Sequence, residues 1–378
     1  MKEPSVSDGD NAVSATPPNP NDAPPGRLAL ADGSVFRGSA FGATGRGLCV
    51  EAEVVFNTAL TGYQESITDP SYAGHILTQT APLIGNTGAN VEDVESDRVQ
   101  VAGFIVHEAA RRHSNFRAVE SLQSYLASSG VLGLAGIDTR ALVRKLRITG
   151  SMQGVLTDDA SIPDAELVER ARSAASMEGQ NLVPLVGCSS NHRWSEDLGA
   201  WDRGVVNAGT EFRVLALDCG AKRNILRNLT ERGCSVEVVP HDTPAEEILR
   251  RFDEGGFDGI FVSNGPGDPA AVRNTVETLR RVLNHDKPVP TFGICLGHQL
   301  LALAAGAQTY KLKFGHRGAN QPVRSSLSGR VEITSQNHGF AVDADSLRAV
   351  GGEATHVHLN DNTLAGFRLK DKPVFAVQ

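Results

Sequence analysis

Five cysteines stand among 378 residues, and none forms a Cys-x-x-Cys pair. That spacing argues against a disulfide framework and a zinc ribbon, and it predicts a reducing, cytoplasmic setting with no metal site. No apolar run approaches the length of a membrane span. Basic residues are not in excess: 36 of them face 44 acidic residues, for a net charge of -8. Nothing here resembles a nucleic-acid-binding surface, so neither nucleic acid nor membrane is an expected partner. A phosphate-cradling Gly-x4-Gly-Lys-Ser/Thr loop does not occur. Residues 1–26 contain no arginine and no apolar stretch but are rich in Pro, Asn, Asp and Ser. This composition predicts a disordered tail rather than a signal or transit peptide.

What is present suffices for two domains, since 40% of the residues are hydrophobic. Over 27–180 the pattern is mixed. A hairpin-like stretch at 28–36 is broken by Asp32-Gly33, a strand reads at 53–56, and helices read at 119–128 and 139–147, with Asp138 as the cap of the second. This predicts an α+β domain. Residues 181–211, with both tryptophans, read as a connector. From 212 to 378 strands and helices alternate: strands at 214–217, 236–239 and 259–262, helices at 224–231, 244–251 and 271–283. Alternation of this kind predicts an α/β fold, a doubly wound and mostly parallel sheet covered on both faces, with its chemistry beyond the carboxyl ends of the strands.

One such end stands out. In Pro290-Thr-Phe-Gly-Ile-Cys295-Leu-Gly-His-Gln299 an apolar strand enters a Gly-x-Cys-x-Gly turn and then a helix beginning near His298. This is the pattern of a nucleophile elbow with cysteine as the nucleophile. Gly293 and Gly297 fall at the two places where side chains would collide in so tight a turn. Helix amides aimed at the sulfur are expected to favour the thiolate of Cys295. A buried core cysteine has no need of glycines at that spacing; Cys49, Cys188, Cys219 and Cys234 fit the core reading instead.

A second loop, Ser263-Asn-Gly-Pro-Gly-Asp-Pro269, follows the strand at 259–262. Its Gly265-x-Gly267-x-x-Ala270 spacing meets the dinucleotide fingerprint, but Asp268 would place negative charge beside a pyrophosphate. One strand from an elbow, the loop has a better use. Its Gly265 N–H, with that of Leu296, can form an oxyanion hole for a substrate carbonyl.

Phe292-Gly-Ile-Cys-Leu-Gly-His-Gln299, the glycine loop and Ser335-Gln-Asn-His-Gly-Phe340 together resemble the triad-type (class I) glutamine amidotransferases, whose domain is flavodoxin-like. Thr61-Gly-Tyr-Gln-Glu65, Thr68-Asp-Pro-Ser-Tyr72, Ile84-Gly-Asn-Thr-Gly88, Gly136-Ile-Asp-Thr-Arg140 and Phe314-Gly-His316 are similar to the small-subunit family of carbamoyl phosphate synthetases. The resemblance runs from about Arg27 to Gln378. It implies hydrolysis of L-glutamine through a thioester on Cys295. The ammonia would pass to a large subunit that holds ATP and Mg or Mn, for arginine and pyrimidine biosynthesis. The assembly would be a heterodimer or a higher oligomer, and this chain itself would need no cofactor. Position by position, the implied glutamine contacts are Ser71, Gly265, Gly267, Leu296, Gln299, Asn337, Gly339 and Phe340. Ser71 belongs to the first domain, so the site is expected in the interdomain cleft.

The family's general base and its carboxylate belong to a His-Pro-Glu motif following the strand that here reads Pro373-Val-Phe-Ala-Val377. The motif is expected beyond residue 378, within about 25–30 further residues that would add one more helix to the sheet. Inside the chain, His298, His338 and the His356-x-His358 pair read as structural or substrate-orienting rather than as the base. Two further readings stay open: a catalytically silent docking subunit of a synthetase, and a cysteine hydrolase acting on another amide.

Overall fold

The computed structural model describes residues 23–201 and 211–378. The expected disordered tail lies outside the described residues up to residue 22, and part of the connector, 202–210, does too. A strand already runs over Pro25–Leu30, so the first domain begins before the expected boundary at residue 27.

Strands of the first domain close into a seven-stranded barrel. The opening hairpin pairs Pro25–Leu30 with Val35–Gly42, turning at Asp32-Gly33, where Gly33 takes φ 95°. His75–Gln79 pairs in parallel with Cys49–Asn57 and with Gly103–Ile105. Leu28, Leu30, Val54, Ile76, Ile105, Leu134 and Leu156, all fully buried, share one cluster of its core. Helix Thr139–Thr149 is capped as expected, Asp138 accepting from the Ala141 N–H at 2.8 Å.

The second domain is built on a ten-stranded sheet. At its centre lie five parallel strands, in the order Cys234–Pro240, Phe212–Asp218, Gly259–Val262, Thr291–Ile294, Val374–Val377. These are the expected α/β core. Along the helix Arg273–Leu283 the buried positions Thr275, Thr278, Leu279, Val282 and Leu283 repeat with helical period, whereas Leu296–Ala305 is buried on nearly every side. Beyond Val374–Val377 the sheet continues as an antiparallel wing of Leu364–Leu369, Gly352–His358, Thr309–Ser325 and Val331–Val342. The connector is more than a tether, because its strand His192–Trp194 adds to the opposite edge of the sheet.

The two domains meet through polar groups. Lys311 pairs with Glu53 at 2.5 Å, Glu95 accepts from the Asn224 N–H at 2.9 Å, and the Thr58 N–H donates to the Arg317 carbonyl at 3.3 Å. The Phe56 and Phe314 rings stack across the same boundary, with centroids 5.9 Å apart.

Candidate active site

The helix after the elbow starts at Leu296, earlier than the sequence suggested, which makes Cys295 its N-cap. Cys295 takes φ 53°; among the described non-glycine residues only Asn362 shares a left-handed φ. A strained cysteine held there is what a nucleophile elbow demands. The flanking glycines are enforced by their surroundings. A Cβ on Gly297 would stand 2.1 Å from the Val262 carbonyl oxygen, and one on Gly293 would stand 2.6 Å from Leu301. The backbone fixes the same turn: Cys295 N–H donates to Val377 O at 2.8 Å, and Gly297 N–H to Ser263 O at 3.0 Å.

The glycine loop lies against this elbow. Gly265 is pressed on the Cys219 carbonyl, 2.2 Å from where its Cβ would be, and on the Leu296 side chain. Gly267 has φ 90°. Asp268 accepts from the Gly179 and Ala270 N–H groups at 2.8 and 2.9 Å, pinning the loop to the 179–182 segment. The dinucleotide reading has no support in this packing. Asn264 joins three loops: its amide donates to Ser71 Oγ at 3.0 Å and to Gly220 O at 2.9 Å, while its carbonyl accepts from Lys222 N–H at 3.0 Å.

The elbow, this loop and the barrel border a narrow cleft. Ser71, Gly265, Gly267, Cys295, Gln299, Asn337, Gly339 and Phe340 line it together. Leu296 does not; its side chain is 1% exposed in the core, so only its backbone could serve the site. Asp69 bridges the domains here, accepting from Ser71 N–H at 2.9 Å and from the Asn337 amide at 3.0 Å. Gln299 donates to the carbonyl of Phe340 at 2.8 Å.

The electrostatics differ from the expected thiolate. Burial, with the negative Asp69, pushes the Cys295 thiol up to about 12; Lys222 and the Leu296 N–H pull the other way without prevailing. The S–H donates to the Asn337 carbonyl at 3.5 Å. A thiol so held reacts only when a base removes its proton.

The histidines sort cleanly. His298 is 0% exposed and packs on Phe367; burial drives it down to about 3, with the Gln378 side chain pulling the other way. It is a core residue. His338 lines the cleft. His356 bonds the Thr355 hydroxyl at 3.0 Å, whereas His358 stacks on His316 with centroids 4.0 Å apart. His316, His358 and Asp361 bring their ligand-type atoms within 4.8 Å of one another; His316 Nε2 lies 2.8 Å from Asp361 Oδ2, and His358 Nδ1 lies 3.4 Å from Asp361 Oδ1.

A model of the carbamoyl-phosphate synthase small chain, CPSase domain, matches residues 28–156, and one of the class-I glutamine amidotransferases matches 215–378. The carbamoyl phosphate synthase small chain of Syntrophotalea carbinolica is 51% identical over 93% of this chain and 91% of its own. That of a Synechococcus species is 53% identical over 93% of this chain and 87% of its own. The chain belongs to the carbamoyl phosphate synthase small chain family. Among solved structures, a glutamine amidotransferase of Thermotoga maritima is 18% identical, with a TM-score of 0.35, over 44% of this chain and 74% of its own.

In this small chain the cleft also draws on residues that sequence reading passed over: Glu53, His75, Met177, Lys311 and Arg317. Arg317 is 4% exposed, donates to Phe314 O at 2.6 Å, and lies under Gly339, 3.3 Å from where its Cβ would be. Only Glu53 left a signal, a buried carboxylate in the largely apolar strand Cys49–Asn57; Lys311 and Arg317 lie on the strand Thr309–Ser325, whose many polar residues hide them. The remaining cysteines also differ from expectation: only Cys219 is fully buried, while Cys49, Cys188 and Cys234 are half-buried. All are free thiols.

Proposed function

We propose that Cys295 is the residue through which this carbamoyl phosphate synthase small chain hydrolyses glutamine. The observation that carries the reading is the left-handed Cys295 at the mouth of a cleft shared by both domains. The sulfur, once deprotonated, attacks the side-chain amide carbon, and the carbonyl electrons move onto oxygen. In this reading the N–H groups of Gly265 and Leu296 take that charge. Collapse breaks the C–N bond, ammonia leaves with an added proton, and a γ-glutamyl thioester stays on Cys295. Water then hydrolyses the thioester to glutamate and restores the thiol. Ser71, Gln299, Asn337, Gly339 and Phe340 hold the amino-acid end of the substrate in this reading, with Gly267 shaping the loop beneath.

Ammonia passes from here to a large subunit, where ATP and Mg or Mn support carbamoyl phosphate synthesis; thioester chemistry asks no cofactor of the small chain. The high-set thiol of Cys295 favours one second reading, a subunit that docks without turning over. One experiment separates the two. Carbamoyl phosphate synthesis is assayed for wild type and Cys295→Ser in complex with the large subunit, first with glutamine and then with ammonia as nitrogen donor. The proposal expects loss of the glutamine-driven rate alone in Cys295→Ser. Equal rates for wild type and variant with glutamine contradict it.

A further inference from the structure

We propose that Asp361 and His316 are positioning residues for the glutamine cleft, acting through His338 on the peptide of Phe340. The proposal rests on the glutamine reading of the cleft given above.

His338, 6% exposed, lines the cleft. Its Nδ1 lies 2.7 Å from the Phe340 carbonyl oxygen; a carbonyl only accepts, so Nδ1 carries the ring hydrogen. Burial first, and then the neighbouring His316, hold the ring neutral by lowering its affinity for a second proton. Its Nε2 is therefore a lone pair. That lone pair faces Nδ1 of His316 at 3.3 Å; the Gln336 amide oxygen, 3.0 Å away on another side, is itself an acceptor and offers it no hydrogen. Two ring nitrogens so close need one hydrogen between them, and His316 supplies it.

The opposite nitrogen of His316, Nε2, donates to Asp361 Oδ2 at 2.8 Å. The His316 ring is 8% exposed, and Asp361 is the carboxylate set against it. Asp361 is in turn held by Thr363, whose N–H and hydroxyl donate to Oδ1 at 3.1 and 2.8 Å. His358 covers one face of His316, stacked at 7°, and is fixed by Gln321 at 3.0 Å.

The chain of contacts thus starts at a partly exposed turn, crosses the strands Thr309–Ser325 and Val331–Val342, and ends on the Phe340 carbonyl. That carbonyl also accepts from Gln299. Asp361 and His316 therefore set the orientation of two cleft-lining residues, Phe340 and Gln299, without touching substrate.

The test compares wild type, Asp361→Ala, Asp361→Asn and His316→Gln, each as the full small chain in complex with its large subunit. In Asp361→Ala the KM for glutamine is expected to rise about 3–10-fold, the equivalent of one hydrogen bond. Its kcat should move less than about twofold, and ammonia-driven synthesis should be unchanged. Asp361→Asn still accepts from His316 and should recover most of the wild-type KM. Protection of Cys295 from alkylation by glutamine should weaken by the same factor as KM rises, a binding readout independent of turnover. Should Asp361→Ala fail to fold, His316→Gln carries the same expectation. A wild-type KM and wild-type protection in the folded variants overturns the proposal, as does an equal KM in the Ala and Asn variants. Absence of glutamine hydrolysis by the wild type would instead overturn the underlying reading of the cleft.

Discussion

Cys295 stands under two opposed demands. Its backbone is held in a left-handed turn, φ 53°, that presents sulfur to the cleft, while burial and Asp69 keep the proton on that sulfur. The sign is fixed by the direction of the shift: with the thiol set near 12, the thiolate fraction rises tenfold with each pH unit throughout the neutral and mildly alkaline range. Alkylation of Cys295 in the 378-residue chain by iodoacetamide is therefore expected to accelerate about tenfold per unit from pH 7 to 9.5 with no plateau. A plateau near neutrality would show a thiolate stabilised at rest. The elbow itself was legible in the sequence, because Gly293 and Gly297 report clashes that happen within a few residues. The thiol's pKa was not: the helix amide that lowers it is local, but Asp69, which raises it, arrives from the other domain.

Among elements, four of the five parallel strands were readable because each is a short apolar run followed by a helix of regular period, and Val374–Val377 because it is a short apolar run. The antiparallel wing was not. Thr309–Ser325 and Val331–Val342 carry polar and charged side chains, Gly315 and Gly318 sit at positive φ, and the pairing shifts register twice, between Lys311 and His316 and between Gly318 and Gln321. Bulges of that kind erase the alternation by which a strand is recognised. The helix Leu296–Ala305 gives a sharper check on the elbow. Replacing glycine by alanine inside a helix ordinarily stabilises by about 1 kcal/mol. In this first turn the added Cβ would sit 2.1 Å from Val262 O. Gly297→Ala is therefore expected to destabilise by about 1–3 kcal/mol, as overpacking does, read from the denaturant midpoint. A gain in stability would mean that strand and helix are less closely packed than described.

At the scale of the whole molecule, the cleft exists only because the barrel and the sheet meet. The motif Thr68-Asp-Pro-Ser-Tyr72 made Ser71 legible as a contact, yet the hydrogen bonds that seat it, from Asn264 to Ser71 and from Asn337 to Asp69, join residues far apart in the chain. No local pattern announces them. Ser71→Ala is expected to raise the KM for glutamine by a factor equivalent to about 0.5–1.5 kcal/mol, with ammonia-driven synthesis untouched; an unchanged KM would remove the barrel from the site. The central claim, that Cys295 is acylated by the substrate, is tested most directly by rapid acid quench of the complex during glutamine turnover, followed by mass spectrometry of the peptide containing Cys295. The account predicts a γ-glutamyl group on that peptide, absent from Cys295→Ser. Full turnover with no acylated cysteine, or acylation of another residue, would contradict it.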